Sequence, residues 1–568
     1  MNKHTKYIGI YSCLFCGIVI VAFGPFLENG KVVIWDTDAI GQYYPTFLYI
    51  GQWIREMLSN ILHRNFNIRL FDMQIGMGED VIGCLNYYGF GDPLNILAVF
   101  ANKTTGQYIF TAMFFLRIYL SGLAFYYYSI KINVNKALIS IGALSYAFSG
   151  FAIAGGGRYI GFLSPMIYFP LMLAGCEDKF RKRKSKIMML SVAYASLCNF
   201  YFLYMTSLFL AVYCTMRLLF IYGLKDIKII AKTIVQCLYR YILGVLLAAP
   251  VLIPSIMAFL SSNRTELDVC EILFDVHNWI PDIELLKCFL TGYRFNSETV
   301  YWSGVPVMEL LLIFMSVFFI KTKRDRQCIL AVFLGILAWM MPITSYIASA
   351  FGNYYTRWVF MLQFLLCIVM ICTLQNILAR IKNVRIEHIT LSIVGIAVVL
   401  NISLINYKMI SLDGGGWIQV FVTSQEARKY VDSPKNDSTV INEDEGLYRI
   451  SNDQLYDINQ RPDNSAMLND YNGLNFWFSI VNGNTQRMIN QLCTYDVNNW
   501  RSYGMNNSAI YETLVGVRYH ISKDDDAPQG YVLAENIDFD GESWKVYKNN
   551  NYLPLAYTYS DTISLNYS

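Results

Sequence analysis

The residues best suited to chemistry are two carboxylates, Asp36 and Asp38, which stand two positions apart just after the first apolar run. In an extended backbone, residues two apart point to the same side, so both side chains would face one ligand. Such a pair can hold a divalent cation such as Mg²⁺ or Mn²⁺, or one carboxylate can take a proton from an acceptor hydroxyl. The alternative is a solvated turn that only leads out of a membrane span.

Two arginines, Arg158 and Arg357, occur at the ends of later apolar runs, and the loop charges described below predict that both ends face outward. Arg158 follows three glycines, whereas Arg357 ends a stretch that begins with Asn353 and Tyr354. Arginine binds phosphate through two parallel hydrogen bonds, and we therefore predict that these residues contact a phosphate-bearing substrate. Snorkelling of each arginine toward lipid headgroups is the alternative.

Aromatic side chains accompany the carboxylates. Tyr43 and Tyr44 follow the acidic pair, and Tyr87 and Asp92 belong to the stretch Tyr-Tyr-Gly-Phe-Gly-Asp-Pro in the same segment. Tyrosine rings offer flat faces on which sugar rings can stack, so we predict that the three tyrosines bind substrate. We predict the same for Asp92, which belongs to the same stretch as Tyr87. Ordinary loop packing is the alternative, because aromatic residues are common at membrane interfaces.

Membrane helices must position these residues. Of 568 residues, 55% are hydrophobic and only 15% are charged, whereas soluble domains carry about 25% charged residues. Runs long enough to cross a bilayer of about 30 Å predict eleven spans, at 6–27, 107–130, 137–154, 159–176, 187–200, 203–222, 241–260, 305–320, 328–348, 358–378 and 389–407.

Loop charge orients these spans. Positive residues cluster in alternate loops, most densely at 179–186, which predicts that the N-terminus and those loops lie inside the cell. The long segments 28–105 and 261–304 are net acidic and would lie outside. A transmembrane domain over 1–410 therefore brings every candidate site residue to the outer face. An amphipathic helix near 47–62 is expected to lie along that outer membrane surface.

The remainder, 411–568, has a different character. From Leu412 onward there are 11 Lys+Arg and 21 Asp+Glu, a net charge of −10, whereas the preceding residues carry +13. Short alternating runs broken by Asn, Asp and Gly predict a β-rich (α+β) extracytoplasmic domain, which we expect to be incomplete. The predicted strands lie at 447–450, 515–521, 531–533 and 544–547, and the predicted helices at 423–432 and 482–492.

Several other function classes find no support in the sequence. There is no P-loop, Rossmann glycine fingerprint, HExxH motif or Ser-His-Asp order. There is also no basic arm or zinc framework, so nucleic acid is not expected as a partner. With five histidines in the chain, histidine chemistry is not expected to dominate.

The motifs and their order resemble the YfhO family of bacterial membrane proteins. The likeness runs through most of the chain, and it is carried by Asp-Thr-Asp-Ala-Ile-Gly-Gln-Tyr-Tyr-Pro, Gly-Asp-Pro-Leu, Leu144-Ser-Tyr-Ala-Phe-Ser-Gly-Phe151, Asn199-Phe-Tyr-Phe-Leu-Tyr204, Asn-Tyr-Tyr-Thr-Arg-Trp, Leu514-Val-Gly-Val-Arg-Tyr-His-Ile521 and Leu553-Pro-Leu-Ala-Tyr557.

This resemblance implies a glycosyltransferase of the GT-C type, with a mainly helical membrane bundle and a polyprenyl-phosphate sugar as donor. Its acceptor would be a cell-surface glycopolymer such as lipoteichoic acid. In such enzymes an acidic residue of the first outer loop acts as base or metal ligand, and by position that role corresponds to Asp36 and Asp38. The resemblance also implies that a divalent cation is the one cofactor to consider.

Two other functions remain open. A flippase or transporter for lipid-linked sugars would need ionisable residues near the bilayer midplane, where Arg117 is the clear candidate. A non-catalytic scaffold for envelope assembly would leave Asp36, Asp38 and Arg357 pointing to different places.

Overall fold

The computed structural model describes residues 3–262, 269–283, 285, 307–352, 354–411, 417–453, 464–492, 501–505, 508–525 and 527–558. The described chain is mostly helical. Its α-helices are α1 (Lys3–Ala22), α2 (Gly24–Glu28), α3 (Tyr44–Leu62), α4 (Val81–Leu85), α5 (Gly106–Lys131), α6 (Lys136–Ala147), α7 (Gly156–Arg158), α8 (Ser164–Phe180), α9 (Ile187–Cys198), α10 (Phe200–Tyr222), α11 (Ile227–Leu247), α12 (Ala249–Ser261), α13 (Val269–Phe274), α14 (Val307–Met315), α15 (Lys323–Met340), α16 (Pro342–Ala348), α17 (Val359–Leu378), α18 (Val384–Ile410), α19 (Ser424–Tyr430), α20 (Thr439–Asn442), α21 (Gly483–Leu492) and α22 (Ala509–Leu514).

Within this described part, seven helices are long and apolar enough to cross a membrane. Two bent pairs qualify as well, α6 with the helical turn that follows it and α15 with α16, at angles of 42° and 93°. Shorter apolar helices lie at Ile187–Cys198, Ala249–Ser261 and Met308–Phe319. Each of the eleven apolar runs overlaps one or more of these helices. A multi-pass membrane bundle is therefore confirmed, while the number of eleven crossings and their orientation stay predictions.

The long apolar run from 187 to 222 breaks where the sequence predicts. Asn199 leaves the helical conformation (φ −170°, ψ 119°), and its side chain accepts a hydrogen bond from the backbone N–H of Tyr201. Asparagine caps the N-terminus of a helix in this way because its oxygen satisfies an N–H that has no partner in the helix. Two helices, α9 and α10, thus replace one overlong span.

The span predicted at 241–260 is displaced in the structure. One helix, α11, ends at Leu247, and the next, α12, begins at Ala249 with Pro250 in its first turn. Proline lacks a backbone N–H and its ring clashes with the preceding turn, so α11 cannot continue through it. The membrane-spanning candidate is instead Leu224–Leu247. Ala258 of α12 packs against Gly83, which belongs to the segment 28–105 that we call the first outer segment after its predicted location.

The first outer segment is built around α3, and the amphipathic helix predicted there is confirmed. Pro45 in its first turn is preset for helix initiation. Its first half is buried against the 3₁₀ turns Pro93–Phe100, and a Cβ at Gly51 would lie 2.2 Å from the carbonyl oxygen of Ala98. Only glycine therefore permits this close packing.

The last 150 residues contain small sheets, as predicted. The strands of the described chain are β1 (Lys31–Trp35), β2 (Phe71–Asp72), β3 (Glu79–Asp80), β4 (Phe421–Thr423), β5 (Arg449–Asn452), β6 (Asn475–Trp477), β7 (Arg501–Tyr503), β8 (Val517–Ser522), β9 (Tyr531–Phe539) and β10 (Glu542–Asn549). The largest sheet has the order β5-β8-β10-β9, with β5 and β8 parallel and the other neighbours antiparallel. Asp540 and Gly541 both have positive φ, as a tight β9–β10 hairpin turn requires.

This C-terminal part packs on the first outer segment. Strand β4 pairs antiparallel with β1. The Asn464 amide donates to the carbonyl of Gly41 at 2.8 Å, and the backbone N–H of Asn482 donates to Glu79 at 3.1 Å. Burial raises the pKa of Glu79 to about 7. These contacts place the two regions side by side around the residues that follow β1.

Candidate functional site

Asp38 is positioned by the end of a strand and the start of a helix. Strand β1 stops at Trp35, and the N–H of Asp36 donates to the carbonyl of Val420 at 2.8 Å. The chain then turns, and Asp38 already has helical dihedral angles where it caps a π-helical turn over Ala39–Tyr43. The extended backbone expected across Asp36 and Asp38 is therefore wrong, since the strand ends before either carboxylate.

The carboxylate of Asp38 accepts hydrogen bonds from two side chains, that of Arg158 at the C-terminal end of α7 and that of Tyr159, the next residue. Arg158 donates to Oδ2 from both Nε and Nη2 at 2.8 Å, and the hydroxyl of Tyr159 donates to the same oxygen at 3.1 Å. Charge-assisted hydrogen bonds of this kind are the strong ones in proteins. Both partners of the ion pair keep some exposure, with 20% of the Arg158 side chain and 16% of the Asp38 side chain accessible.

The glycines before Arg158 bring it to this position. A Cβ at Gly156 would lie 2.5 Å from the side chain of Leu163, and one at Gly157 would lie 3.3 Å from the ring of Phe421. The absence of side chains lets the helix end pack closely against both neighbours. Arg158 consequently emerges beside Trp35, with its guanidinium carbon 5.8 Å from the centre of that ring.

Arg357 lies in aromatic surroundings instead. Its Nη1 donates to the hydroxyl of Tyr87 at 3.1 Å, and its guanidinium carbon lies over four rings, those of Tyr355 (4.0 Å), Phe162 (5.0 Å), Tyr201 (5.6 Å) and Tyr159 (5.7 Å). Among the described residues, no carboxylate lies within ion-pair distance of Arg357, and its buried Nε has no hydrogen-bond partner. The cation–π contacts stabilise the charge but leave its fork of donors available to an anion.

Tyr159 joins the two arginines into one site. Its hydroxyl contacts Asp38, its ring lies near Arg357, and it also packs against Tyr43 with 5.7 Å between ring centres. Burial, together with the neighbouring tyrosines, raises the pKa of Tyr43 well above its usual range, so this hydroxyl stays protonated. The structure thus brings together five predicted residues, Asp38, Arg158, Arg357, Tyr43 and Tyr87, which we call the rim site.

Other predicted residues lie apart from the rim site. Tyr44 faces the bundle, where its hydroxyl donates to Gln107 at 3.4 Å. Tyr354 packs against Tyr346 with 5.8 Å between ring centres. Asn353 lies outside the described residues.

Asp92 has a structural setting that the sequence did not predict. Its Oδ2 accepts hydrogen bonds from Arg117 at 3.0 Å and from Ser164 at 2.6 Å, and Arg117 also donates to Asn95 at 2.7 Å. The side chains of Asp92 and Arg117 are 2% and 1% exposed. This buried ion pair fastens the first outer segment to α5 and α8. Arg117 is therefore a structural residue here, rather than an isolated charge in a span.

The same stretch carries Tyr87 into the rim site. The Asn86 amide donates to the carbonyl of Leu197 at 2.9 Å, and the Asn199 amide donates to the carbonyl of Tyr87 at 3.2 Å. Together with the Asp92–Arg117 pair, these bonds fix residues 86–95 to the bundle. Sequence reasoning missed Tyr159, Phe162, Tyr201 and Tyr355 around Arg357. Tyr159 directly follows the predicted residue Arg158, and Tyr355 directly follows Tyr354. This adjacency in sequence could have identified them.

The chain is similar to known proteins in its sequence and in its fold. The family described as bacterial membrane protein YfhO matches it over residues 12–408 and 377–566, which together cover nearly the whole chain. The chain belongs to the YfhO family. The resemblance noted from the motifs is therefore confirmed. No curated protein matches the sequence.

Among solved structures, this YfhO-family chain is similar to the arabinofuranosyltransferase AftD from Mycobacteria. The likeness has a TM-score of 0.53 at 12% identity and covers 95% of this chain but 40% of AftD. A mutant form of AftD matches with a TM-score of 0.50 at 11% identity and 41% coverage. The YfhO-family chain thus spans about two fifths of its neighbours' length. This likeness confirms the predicted GT-C-like helical fold.

The membrane part of this YfhO-family protein also contains an apolar cavity of about 520 Å³. It lies between α5, α10, α15 and α17, and its lining includes Tyr128, Phe209, Arg217, Leu334, Trp358 and Phe364. Along α17 it extends from Trp358 to Cys372, which is about 21 Å of helix. The end of the cavity at Trp358 is therefore next in sequence to Arg357.

Proposed function

We propose that this protein is a membrane glycosyltransferase that takes a sugar from a polyprenyl-phosphate donor and transfers it to a cell-surface glycopolymer such as lipoteichoic acid. One observation carries the proposal: Arg357, an arginine without a carboxylate partner in the described chain, lies beside the Asp38–Tyr159–Arg158 group. The family and the GT-C-like fold support it.

Arg357 would hold the donor phosphate. A guanidinium withdrawn from water is costly unless an anion or hydrogen-bond acceptor compensates it. Tyr87 provides one acceptor, and the remaining donors match the oxygens of a phosphate. The hydroxyl of Tyr159 donates to Asp38, and its oxygen can accept a hydrogen bond from a sugar hydroxyl.

The apolar cavity beside α17 would hold the lipid tail of the donor. A long hydrocarbon chain gains about 0.8 kcal/mol for each CH₂ removed from water, and the cavity offers a lining that is almost wholly apolar. Because it starts at Trp358, a tail in the cavity would leave its phosphate next to Arg357.

Asp38 would act on the acceptor. In the proposed step the acceptor hydroxyl gives its proton to the Asp38 carboxylate while its oxygen forms a bond to the anomeric carbon. The bond between that carbon and the phosphate oxygen breaks, and the lipid phosphate leaves with the electron pair, stabilised by Arg357. Arg158 now pairs with Asp38, and we propose that it turns toward the phosphate once the donor binds.

A divalent cation at Asp36 and Asp38 remains a further proposal. Among the residues that the structure describes, no group of three or more His, Cys, Asp or Glu is arranged to hold a metal ion. In this structure Asp38 has Arg158 as its counter-charge, and a cation would take that place once Arg158 turns toward the phosphate. Mg²⁺ or Mn²⁺ would then add to the neutralisation of the leaving phosphate.

The test is mass spectrometry of surface polymers from cells that carry the wild-type protein, the Asp38→Asn variant or no copy of the gene. We expect one sugar, lost without the gene, to be restored by the wild type but not by Asp38→Asn. The matched control is Glu445→Gln, an exposed carboxylate of the C-terminal part. Full restoration by a correctly inserted Asp38→Asn protein contradicts the mechanism.

A transporter of lipid-linked sugars is the second candidate, and Glu309 favours it. This carboxylate on α14 is 3% exposed, and its Oε1 has no partner within the described chain. A buried acid in a membrane helix is typical of a proton-coupled pathway. If Glu309→Gln abolished the movement of lipid-linked sugar across the membrane while Asp38→Asn did not, the transporter would be preferred.

A further inference from the structure

A polar groove lies between the first outer segment and the C-terminal part, away from the rim site. It consists of two adjoining cavities of about 230 Å³ and 370 Å³, both lined by Gln52 of α3 and by Leu468 of the C-terminal part. Together they fall within the range of about 300–1,000 Å³ that is typical of small-molecule sites. We call this feature the α3 groove.

One half of the α3 groove combines an aromatic ring with planar polar groups. Trp53 is half-buried and donates from its indole nitrogen to the carbonyl of Arg69 at 2.9 Å. Opposite the helix, Gln74 donates to Asp470 at 2.6 Å, which joins the first outer segment to the C-terminal part. Glu56 and Arg69 border the same cavity with about two fifths of each side chain accessible.

The other half is lined by Asn102, Lys103 and Thr104. Lys103 donates to Asn469, and it pairs with Asp432 at 3.4 Å. Arg55 is turned inward, where its Nη1 donates to the carbonyls of Val99 and Ala101.

Most charges of the groove are compensated by ion pairs, and the two remaining ones, Arg55 and Asp470, are of opposite sign. Arg69 is paired with Glu56 at 2.6 Å and with Asp72 at 3.0 Å, and Lys103 is paired with Asp432. A strongly charged ligand would therefore gain little from the groove. Hydroxyl groups suit it better, because each both donates and accepts and so matches neighbouring amides and carboxylates.

We infer that the α3 groove binds a neutral saccharide chain. Its hydroxyls would contact Gln52, Glu56 and Asp470, and the apolar face of one ring would lie on Trp53. This inference rests on the proposed function for the role of the occupant, which would be a neutral saccharide portion of the surface glycopolymer acceptor. The groove lies about 15–27 Å along the helical stretch from Asp38, at 1.5 Å per residue, so a bound chain has to extend several sugars to reach the rim site.

The experiment measures binding alone, with the full chain in lipid nanodiscs and no donor present. The probes are linear hexasaccharides of glucose, galactose and N-acetylglucosamine on an array, with phosphodiester-linked polyol oligomers and apolar peptides beside them. We expect retention of at least one neutral hexasaccharide. Gln52→Trp fills the groove from an exposed position and should reduce retention at least tenfold, whereas Leu62→Trp, outside both cavities and 81% exposed, should not.

A second pair of variants tests whether the aromatic ring of Trp53 contributes to saccharide binding. Trp53→Ala should abolish retention and Trp53→Phe should restore part of it. The inference is overturned if no hexasaccharide is retained above empty nanodiscs, if Gln52→Trp binds as well as the wild type, or if the phosphodiester oligomers or peptides are preferred. Because no transfer is measured, saccharide binding without any glycosyltransferase activity would contradict the proposed function and leave the groove assignment standing.

Discussion

Arg117 is buried and Arg357 is half-buried, and their surroundings are opposite. Arg117 lies within the bundle and donates to Asp92 and Asn95, whereas Arg357 at the rim has tyrosine rings and a single tyrosine hydroxyl. A buried charge must be paired or it is strongly destabilising. The paired arginine thus connects elements of the fold, and the arginine without a carboxylate retains the capacity to bind an anion. Substitutions can therefore distinguish the structural role of Arg117 from the proposed binding role of Arg357.

We expect the largest effect when the buried Arg117–Asp92 ion pair is broken, and this effect is a loss of stability. Arg117→Leu leaves Asp92 without its counter-charge and should destabilise the protein by about 3–5 kcal/mol. Thermal unfolding in nanodiscs measures this loss. The double variant with Asp92→Leu should recover part of it, because two apolar side chains can replace a buried pair. An Arg117→Leu protein with wild-type stability would contradict the assignment.

A second buried cation, in the C-terminal part, should respond to pH. His520 is desolvated, which lowers its pKa, but contacts with Asp453 and Glu512 outweigh this and raise the pKa to about 9. Its distances to these carboxylates are 3.1 Å and 3.4 Å. Because the folded-state pKa lies above the ordinary 6.5, the contribution to stability is complete below pH 6.5 and disappears as the pH rises through 9.

We expect the difference in unfolding temperature between the wild type and His520→Gln to shrink by several degrees between pH 6 and pH 9.5. Hydrogen exchange of the β8 amides over the same range reports the local loss directly. A constant difference across this range would mean that His520 is not charged in the folded protein.

For Arg357 we expect a loss of activity with little loss of stability. Arg357→Lys keeps the charge but not the planar fork of donors, so sugar transfer should fall about 10- to 100-fold, which corresponds to about 1.4–2.7 kcal/mol of transition-state stabilisation. The unfolding temperature should hardly change. The opposite pattern, unchanged transfer with a large loss of stability, would make Arg357 a second structural arginine.

The smallest effect is expected for Asp36. Arg158 pairs with Asp38, and Asp36 lies on the preceding turn. Asp36→Asn should therefore reduce transfer by less than Asp38→Asn, on the order of twofold. If both variants are equally inactive, and activity in membranes depends on added Mg²⁺ or Mn²⁺, the two carboxylates share a cation after all.

Much of this organisation is present in the sequence. Apolar runs lead to membrane helices because the backbone must satisfy its own hydrogen bonds in lipid. The Asn199 break, the amphipathic α3 and the strands around Val517–Ser522 and Glu542–Asn549 all follow from local patterns. Asp38, Arg158 and Arg357 could be identified because charged residues at the ends of apolar runs are conspicuous.

Only the tertiary structure determined how those residues are used. Pattern alone does not reveal that Asp92 pairs with Arg117 inside the bundle instead of facing substrate, or that Arg357 lies among rings from three separate parts of the chain. The extended geometry assumed for Asp36 and Asp38 failed because the pairing of β1 with β4 ends at Trp35. Contacts between residues hundreds of positions apart depend on how helices pack, and sequence periodicity specifies which face is buried but not which partner it meets.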